Sequence, residues 1–244
     1  MGANIKLSAS QSPKTPKDIA TMQNILYCEA VGSLMYAFLS THPDITFAIT
    51  RLSKFLQNPR KAHWEAVWNV LHYLNGTQMH WLVFSEKEAN LIGWVDADGS
   101  QEEDHQAFTG YTFLINGGAV SWSSKQQEIV ILSMTEGEYV AATHAAKEAL
   151  WLGSFIGMMF SLTLNPTTLF SDNKSAIALS CDHQYHTHTK HINIQYHFIQ
   201  WVIEDGSIQL VFCLTEDMIA NTLTKPLPST KAKHFATELG LCQP

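Results

Sequence analysis

Leu91-Ile92-Gly93-Trp94-Val95-Asp96-Ala97-Asp98 is a short apolar run that ends in acid. It reads as a β-strand carrying a carboxylate to its end. Two later stretches place acids in a similar way. Ser133-Met134-Thr135-Glu136-Gly137-Glu138-Tyr139 opens a long helix, and Thr167-Thr168-Leu169-Phe170-Ser171-Asp172 reads as a strand running into a helix over 173–181. A strand Asp, a helix Glu and a second strand-end Asp are the hard oxygen donors that Mg²⁺ prefers. Phosphodiester hydrolysis needs an activated water and a stabilised leaving oxygen, which two such ions about 4 Å apart supply. Asp96, Glu138 and Asp172 are therefore expected to converge on a two-metal site. Each acid also has a plainer role. Asp96 could be a polar strand terminus, with Asp98 two residues on and facing the same way. Asp172 could be only an N-cap. Ser133 and Glu136 have capping-box spacing, which leaves Glu138 as the inward residue.

Outward from these stretches the pattern is α/β. Strands are expected at 91–95, 109–115 and 119–123, forming an antiparallel meander with a turn at Asn116-Gly117-Gly118. The long helix over 133–160 follows, then strand 167–171, helix 173–181, a His-rich loop over 181–191, helix 192–205 and strand 208–214. A helical turn over 216–224 and a short helix over 231–239 finish the chain. The run Trp81–Ser85 reads as a lead-in strand. Before it the period is helical. Apolar stripes through Ile25–Leu39, Ile45–Leu56 and Trp64–Leu74 are broken at Pro43 and Asn58-Pro59 and stopped at Asn75-Gly76, with Asp44 placed to cap the second helix. The expected division is a leader over 1–20, a helical segment over 21–79, an α/β domain over 80–228, and a helix and tail over 229–244.

Composition narrows the function. The 244 residues are 45% hydrophobic and 11% aromatic, enough for a sizeable core. Only 15% are charged and the net charge is −7, which excludes strong nonspecific phosphate binding. Any nucleic-acid function must rest on a local patch or on metal ions. Cys28, Cys181, Cys213 and Cys242 are scattered with no C-x-x-C pair, so no zinc site or disulfide framework is indicated and an intracellular protein is expected. No apolar run approaches membrane-spanning length. The first 20 residues lack the apolar centre of a secretory signal. His183, His186, His188 and His191 match no zinc spacing and read as a solvated loop. His191, where that loop meets a helix, is the candidate for moving protons at the acids.

Several segments together resemble a family. Val31-Gly32-Ser33-Leu34-Met35-Tyr36, His42-Pro43-Asp44-Ile45, His63-Trp64-Glu65-Ala66 and Leu74-Asn75-Gly76-Thr77 are similar to the region after the reverse-transcriptase palm in copia-type LTR retrotransposon polyproteins. Asp96-Ala97-Asp98, Thr109-Gly110-Tyr111, Ser121-Trp122-Ser123-Ser124-Lys125-Gln126 and Thr135-Glu136-Gly137-Glu138-Tyr139 resemble that family's ribonuclease H domain. So do Ser171-Asp172-Asn173-Lys174-Ser175-Ala176, Thr189-Lys190-His191-Ile192 and Leu223-Thr224-Lys225-Pro226-Leu227. The likeness runs from about residue 24 to 240.

The resemblance implies an RNase H-like fold, a five-stranded mixed sheet flanked by helices and preceded by a helical segment like the polymerase thumb or connection. It implies Mg²⁺- or Mn²⁺-dependent cleavage of the RNA strand of RNA–DNA hybrids. Asp96, Glu138 and Asp172 match the family's carboxylates. The fourth, an Asp before x-x-Thr-Lys-Pro, is Asn221 here, a neutral and weaker ligand. Lys125, Lys174, Lys190 and Lys225 become candidate phosphate contacts. Other departures are Asn193 and Gln195 in place of an acid and a base, Gly99 in place of Trp, and Gln106-Ala107-Phe108 in place of a basic stretch. The polymerase palm is absent, so the chain reads as a polyprotein fragment, a separate remnant or a domesticated copy. The expected partners are a hybrid and the remainder of a polymerase. Cytoplasm, virus-like particle and nucleus all fit. The other reading is a degenerate module that keeps the fold and binds without cutting.

Overall fold

The computed structural model describes residues 7, 20, 22–85, 90–98, 107–128, 133–160, 166–181 and 190–243, with side chains from 197 onward in the last stretch. The chain divides into two compact units, one of residues 1–83 and 225–244, the other of 84–224.

The first unit is mainly helical. Helix α1 (Tyr27–Ser40), a 3-10 turn (Pro43–Ile45), α2 (Thr46–Ser53) and α3 (Lys61–Gly76) bury most of the stripes read from the sequence, but Leu26, Leu39 and Trp68, expected in them, are exposed. Val31, Leu34, Ile49, Leu52, Val67 and Val70 meet in one core. The Tyr27 hydroxyl donates to the Leu52 carbonyl at 2.9 Å. Asp44 does not cap the second helix, which has no side-chain cap. It accepts a 2.5 Å hydrogen bond from the Tyr73 hydroxyl instead. Burial, then Asp44, pushes that phenol's pKa up. The expected lead-in strand over 81–85 is shorter and lies elsewhere. β1 (Trp81–Leu82) pairs antiparallel with a strand at Leu241–Cys242, outside the large sheet. The C-terminal helix Ser229–Glu238 and that strand therefore group with the helical segment rather than forming a separate tail.

The second unit holds the sheet. β2 (Ile92–Asp98), β3 (Phe108–Ile115) and β4 (Gly118–Gln126) form the expected meander. Asn116 (φ 54°) and Gly117 (φ 80°) make the turn between β3 and β4, a pair of positive φ values that suits a two-residue hairpin. β5 (Thr167–Ser171) lies parallel to β2, and β6 (Ile208–Phe212) parallel to β5, giving the order β4-β3-β2-β5-β6. The 27-residue α4 (Met134–Phe160) supplies Ala141, Ala142, Ala145, Ala146 and Ala149 to the core with Val95, Phe113 and Leu169. Alanine favours helix and its small side chain lets a helix approach a sheet closely. α5 (Lys174–Cys181) and α6 (Lys190–Glu204) complete the helical layer, and Ile199 and Val202 of α6 enter the same core. The expected helical turn over 216–224 is a 3-10 turn, Ile219–Leu223, which packs on β2 and β3. The architecture is the expected five-stranded mixed sheet with helices.

Candidate metal centre

Alternation along β2 decides where Asp96 goes. Val95 and Ala97 point into the apolar core, so Asp96 between them takes the other side. Its register partner on β3 is Gly110. The 3-10 turn closes over that glycine. A Cβ at Gly110 would lie 2.7 Å from both Leu223 Cβ and Thr224 Cγ2. Asp96 is 1% exposed, a degree of burial that a carboxylate tolerates only with partners.

Glu138 enters from the first turns of α4. Ser133 Oγ accepts a hydrogen bond from the Glu136 backbone N–H at 3.2 Å, as the capping-box spacing predicts. Both Glu136 and Glu138 are buried, although only one was expected to turn inward. Asp172 follows the last residue of β5. It is not the cap of α5. Asn173 takes that role, its Oδ1 accepting from the Ala176 N–H at 3.0 Å.

Asp96, Glu138 and Asp172 each offer a carboxylate oxygen, and these atoms all lie within 4.8 Å of one another. Two full charges at such a distance repel by roughly 3 kcal/mol even at an effective dielectric of 20. A divalent cation would offset that repulsion. Neither Asp98 nor Glu136 joins the group.

Asn221 adds a neutral donor set beside the acids. Its Nδ2 donates to the Thr215 carbonyl at 3.0 Å. Its Oδ1 is buried and has no hydrogen-bond partner. An orphaned buried oxygen is costly unless something electropositive meets it, so it fits a cation ligand. Two hydroxyls complete the surroundings. Thr215 Oγ1 donates to Asp172 Oδ2 at 2.8 Å, and Thr224 Oγ1 donates to Asp96 Oδ2. The Asn221 carbonyl in turn accepts from the Thr224 N–H at 3.4 Å. Thr215 and Thr224 were not singled out in the sequence. Thr224 belongs to the Thr-Lys-Pro motif, but only the fold shows which carboxylate it meets.

The acids are felt at Cys213, which follows β6. Burial first, then Asp172, Asp217 and Asp96, push its thiol up to about 11. The candidate phosphate contacts are scattered. Lys125 pairs with Glu128 at 3.2 Å on the surface. The Lys174 ammonium sits 4.5 Å from the Phe212 ring centroid. Lys225 falls in the first unit. Lys190 and His191 open α6, but their side chains lie outside the described residues, as do His183, His186 and His188.

The strand order, with an acid on the central strand β2, a second in the first turns of α4 and a third just after β5, defines an RNase H-like domain. No model of a known protein family matches the chain. It is 41% identical over 232 residues to the retrovirus-related Pol polyprotein from transposon TNT 1-94 of Nicotiana tabacum, covering 95% of this chain and 17% of that protein. It is 35% identical over 217 residues to the corresponding polyprotein of transposon RE1 of Arabidopsis thaliana, covering 88% of this chain and 15% of that one. The chain thus spans less than a fifth of the length of these relatives. A foamy viral protease-reverse transcriptase solved with an RNA/DNA hybrid has a similar fold, with a TM-score of 0.50 at 15% identity over 88% of this chain and 28% of that one. Over most of its length the chain is thus similar to the Pol polyproteins of copia-type retrotransposons. Among the described residues, no helix is long and apolar enough to cross a membrane.

Proposed function

We propose that this chain is a ribonuclease H that cleaves the RNA strand of RNA–DNA hybrids with Mg²⁺ or Mn²⁺. The observation that carries the reading is the meeting of Asp96, Glu138 and Asp172 within 4.8 Å at the end of the sheet. Those three carboxylates would hold the metal, with the orphaned Asn221 Oδ1 as a neutral fourth donor. Bound there, the metal supplies Lewis acidity and a hydroxide source at neutral pH. The chain's own groups supply the rest. Burial of Asp96 and Glu138 keeps their carboxylates out of bulk water, so a cation is the partner that would offset the cost of burying them. The neutral Asn221 leaves the site one negative charge short of the family pattern, so a second ion is held more weakly than the first.

His191 is assigned the proton transfer at the leaving oxygen. Lys125, Lys174, Lys190 and Lys225 are assigned to backbone phosphates, so a hybrid is recognised by shape and charge rather than by base edges. The remainder of the polyprotein is the natural polymerase partner. A second reading, a module that binds without cutting, draws on the same Asn221 and on the net charge of −7.

A labelled hybrid incubated with the protein in Mg²⁺ and in Mn²⁺ separates the two readings. Cutting of the RNA strand that vanishes in Asp96→Asn supports the nuclease. Binding without cutting at high protein concentration supports the module.

A further inference from the structure

We propose that Thr215 and Thr224 are positioning residues for the metal-binding carboxylates, tied into one frame by Asn221. The inference rests on the metal reading above and goes beyond it by assigning roles to side chains that touch no metal.

The frame is continuous. Thr224 Oγ1 donates to Asp96 Oδ2, and Thr215 Oγ1 donates to Asp172 Oδ2 at 2.8 Å. Asn221 joins the two hydroxyl residues. Its side-chain amide donates to the Thr215 carbonyl, and its own carbonyl accepts from the Thr224 N–H. The acids of β2 and of the β5 end are therefore linked through a single loop that runs from Thr215 to Thr224. A carboxylate with one oxygen held by a hydroxyl has its other oxygen fixed in direction. Hydrogen bonds of this kind orient metal ligands and raise affinity by removing the freedom they would otherwise lose on binding.

Thr222 sits in the same turn with a hydroxyl that donates to the Ile219 carbonyl at 2.7 Å, within the turn itself. Its hydroxyl is not part of the frame. This separates hydroxyls that build the turn from the two that reach the acids. It also recasts Asn221. A carboxylate at that position has no hydrogen to give the Thr215 carbonyl, so the amide is the residue type that closes the frame.

The test uses Mn²⁺ alone as the probe. Its affinity is measured by isothermal titration for the full chain and for Thr215→Val, Thr224→Val, Thr215→Ser and Thr224→Ser, with folding checked by circular dichroism. Valine keeps the shape of threonine and removes the hydroxyl. Serine keeps the hydroxyl. Each Val variant is expected to bind Mn²⁺ about tenfold or more weakly, with each Ser variant close to the parent. Thr215 is exposed, so its Val variant decides the matter even if Thr224→Val fails to fold. A parent chain that binds Mn²⁺ while its folded Val variants bind within twofold overturns this inference alone. A parent chain that binds no Mn²⁺ removes the metal reading, and this inference goes with it.

Discussion

Thr224 donates its hydroxyl to Asp96 across 128 residues of sequence. The contact is possible because the residue opposite Asp96 on the neighbouring strand is Gly110, which leaves room for the 3-10 turn to close down. One glycine on β3 therefore governs how a distant loop meets the acid on β2.

Gly110→Ala is accordingly expected to damage the site more than the fold. The new methyl would press on Leu223, Thr224 and the Ala220 carbonyl, which lies 3.2 Å from the built Cβ. The turn must lift, taking Thr224 away from Asp96. Mn²⁺ affinity should fall about tenfold or more, with the helical content unchanged by circular dichroism. Parent-like affinity would show that the turn does not set the carboxylate.

Gly93→Ala provides the contrast. Its Cβ would lie 2.5 Å from Phe113 Cε1 and 2.9 Å from Leu169 Cδ1, both core atoms. Overpacking of this kind costs about 1–3 kcal/mol. Denaturant unfolding should show that loss, while Mn²⁺ affinity stays within about twofold of the parent because the clash lies on the core side of β2.

Asn221→Asp restores the family's acid but breaks the frame. The carboxylate cannot donate to the Thr215 carbonyl, and it adds a fourth negative charge beside three others. Without divalent ions the variant should be less stable by about 1–3 kcal/mol. With Mn²⁺ it should recover more than the parent does, because an ion bound only by the folded state stabilises it in proportion to its affinity. Thermal melts in chelator and in excess Mn²⁺ check this. Equal Mn²⁺-induced shifts in both proteins would contradict it.

Cys213 reports the charge of the site. Its thiol is pushed from 9.0 to about 11, by burial first and then by Asp172, Asp217 and Asp96. The folded value is raised, so the contribution to stability is complete below pH 9 and is lost as pH rises towards 11. Alkylation follows the thiolate. At pH 8 to 9, Cys213 should therefore react more slowly than exposed Cys181 when the modified peptides are quantified by mass spectrometry. Asp172→Asn should lower the pKa and speed the reaction. An unchanged rate would remove Asp172 from its surroundings.

Much of this architecture could be read before the fold was seen. Asp96, Glu138 and Asp172 follow apolar strands or open a helix, and those are local signals. The helical stripes of the first unit were legible for the same reason, since periodicity is a property of neighbours in sequence. The contacts that complete the site were not. Thr215–Asp172 joins residues 43 apart, and Thr224–Asp96 joins residues farther apart still. Neither leaves a mark in local pattern. Asp44 shows the converse error. Its position after Pro43 suits a cap, but Tyr73 reaches it from another helix and takes its carboxylate. The pairing of Trp81–Leu82 with the far C-terminus was hidden likewise, because two-residue strands carry almost no periodic signal.

The shared cation is tested most directly by anomalous diffraction from crystals soaked in Mn²⁺. A peak bonded to oxygens of Asp96, Glu138 and Asp172, and lost in Asp96→Asn crystals, is the predicted result. Parent crystals with no density among these carboxylates at saturating Mn²⁺ would contradict the account.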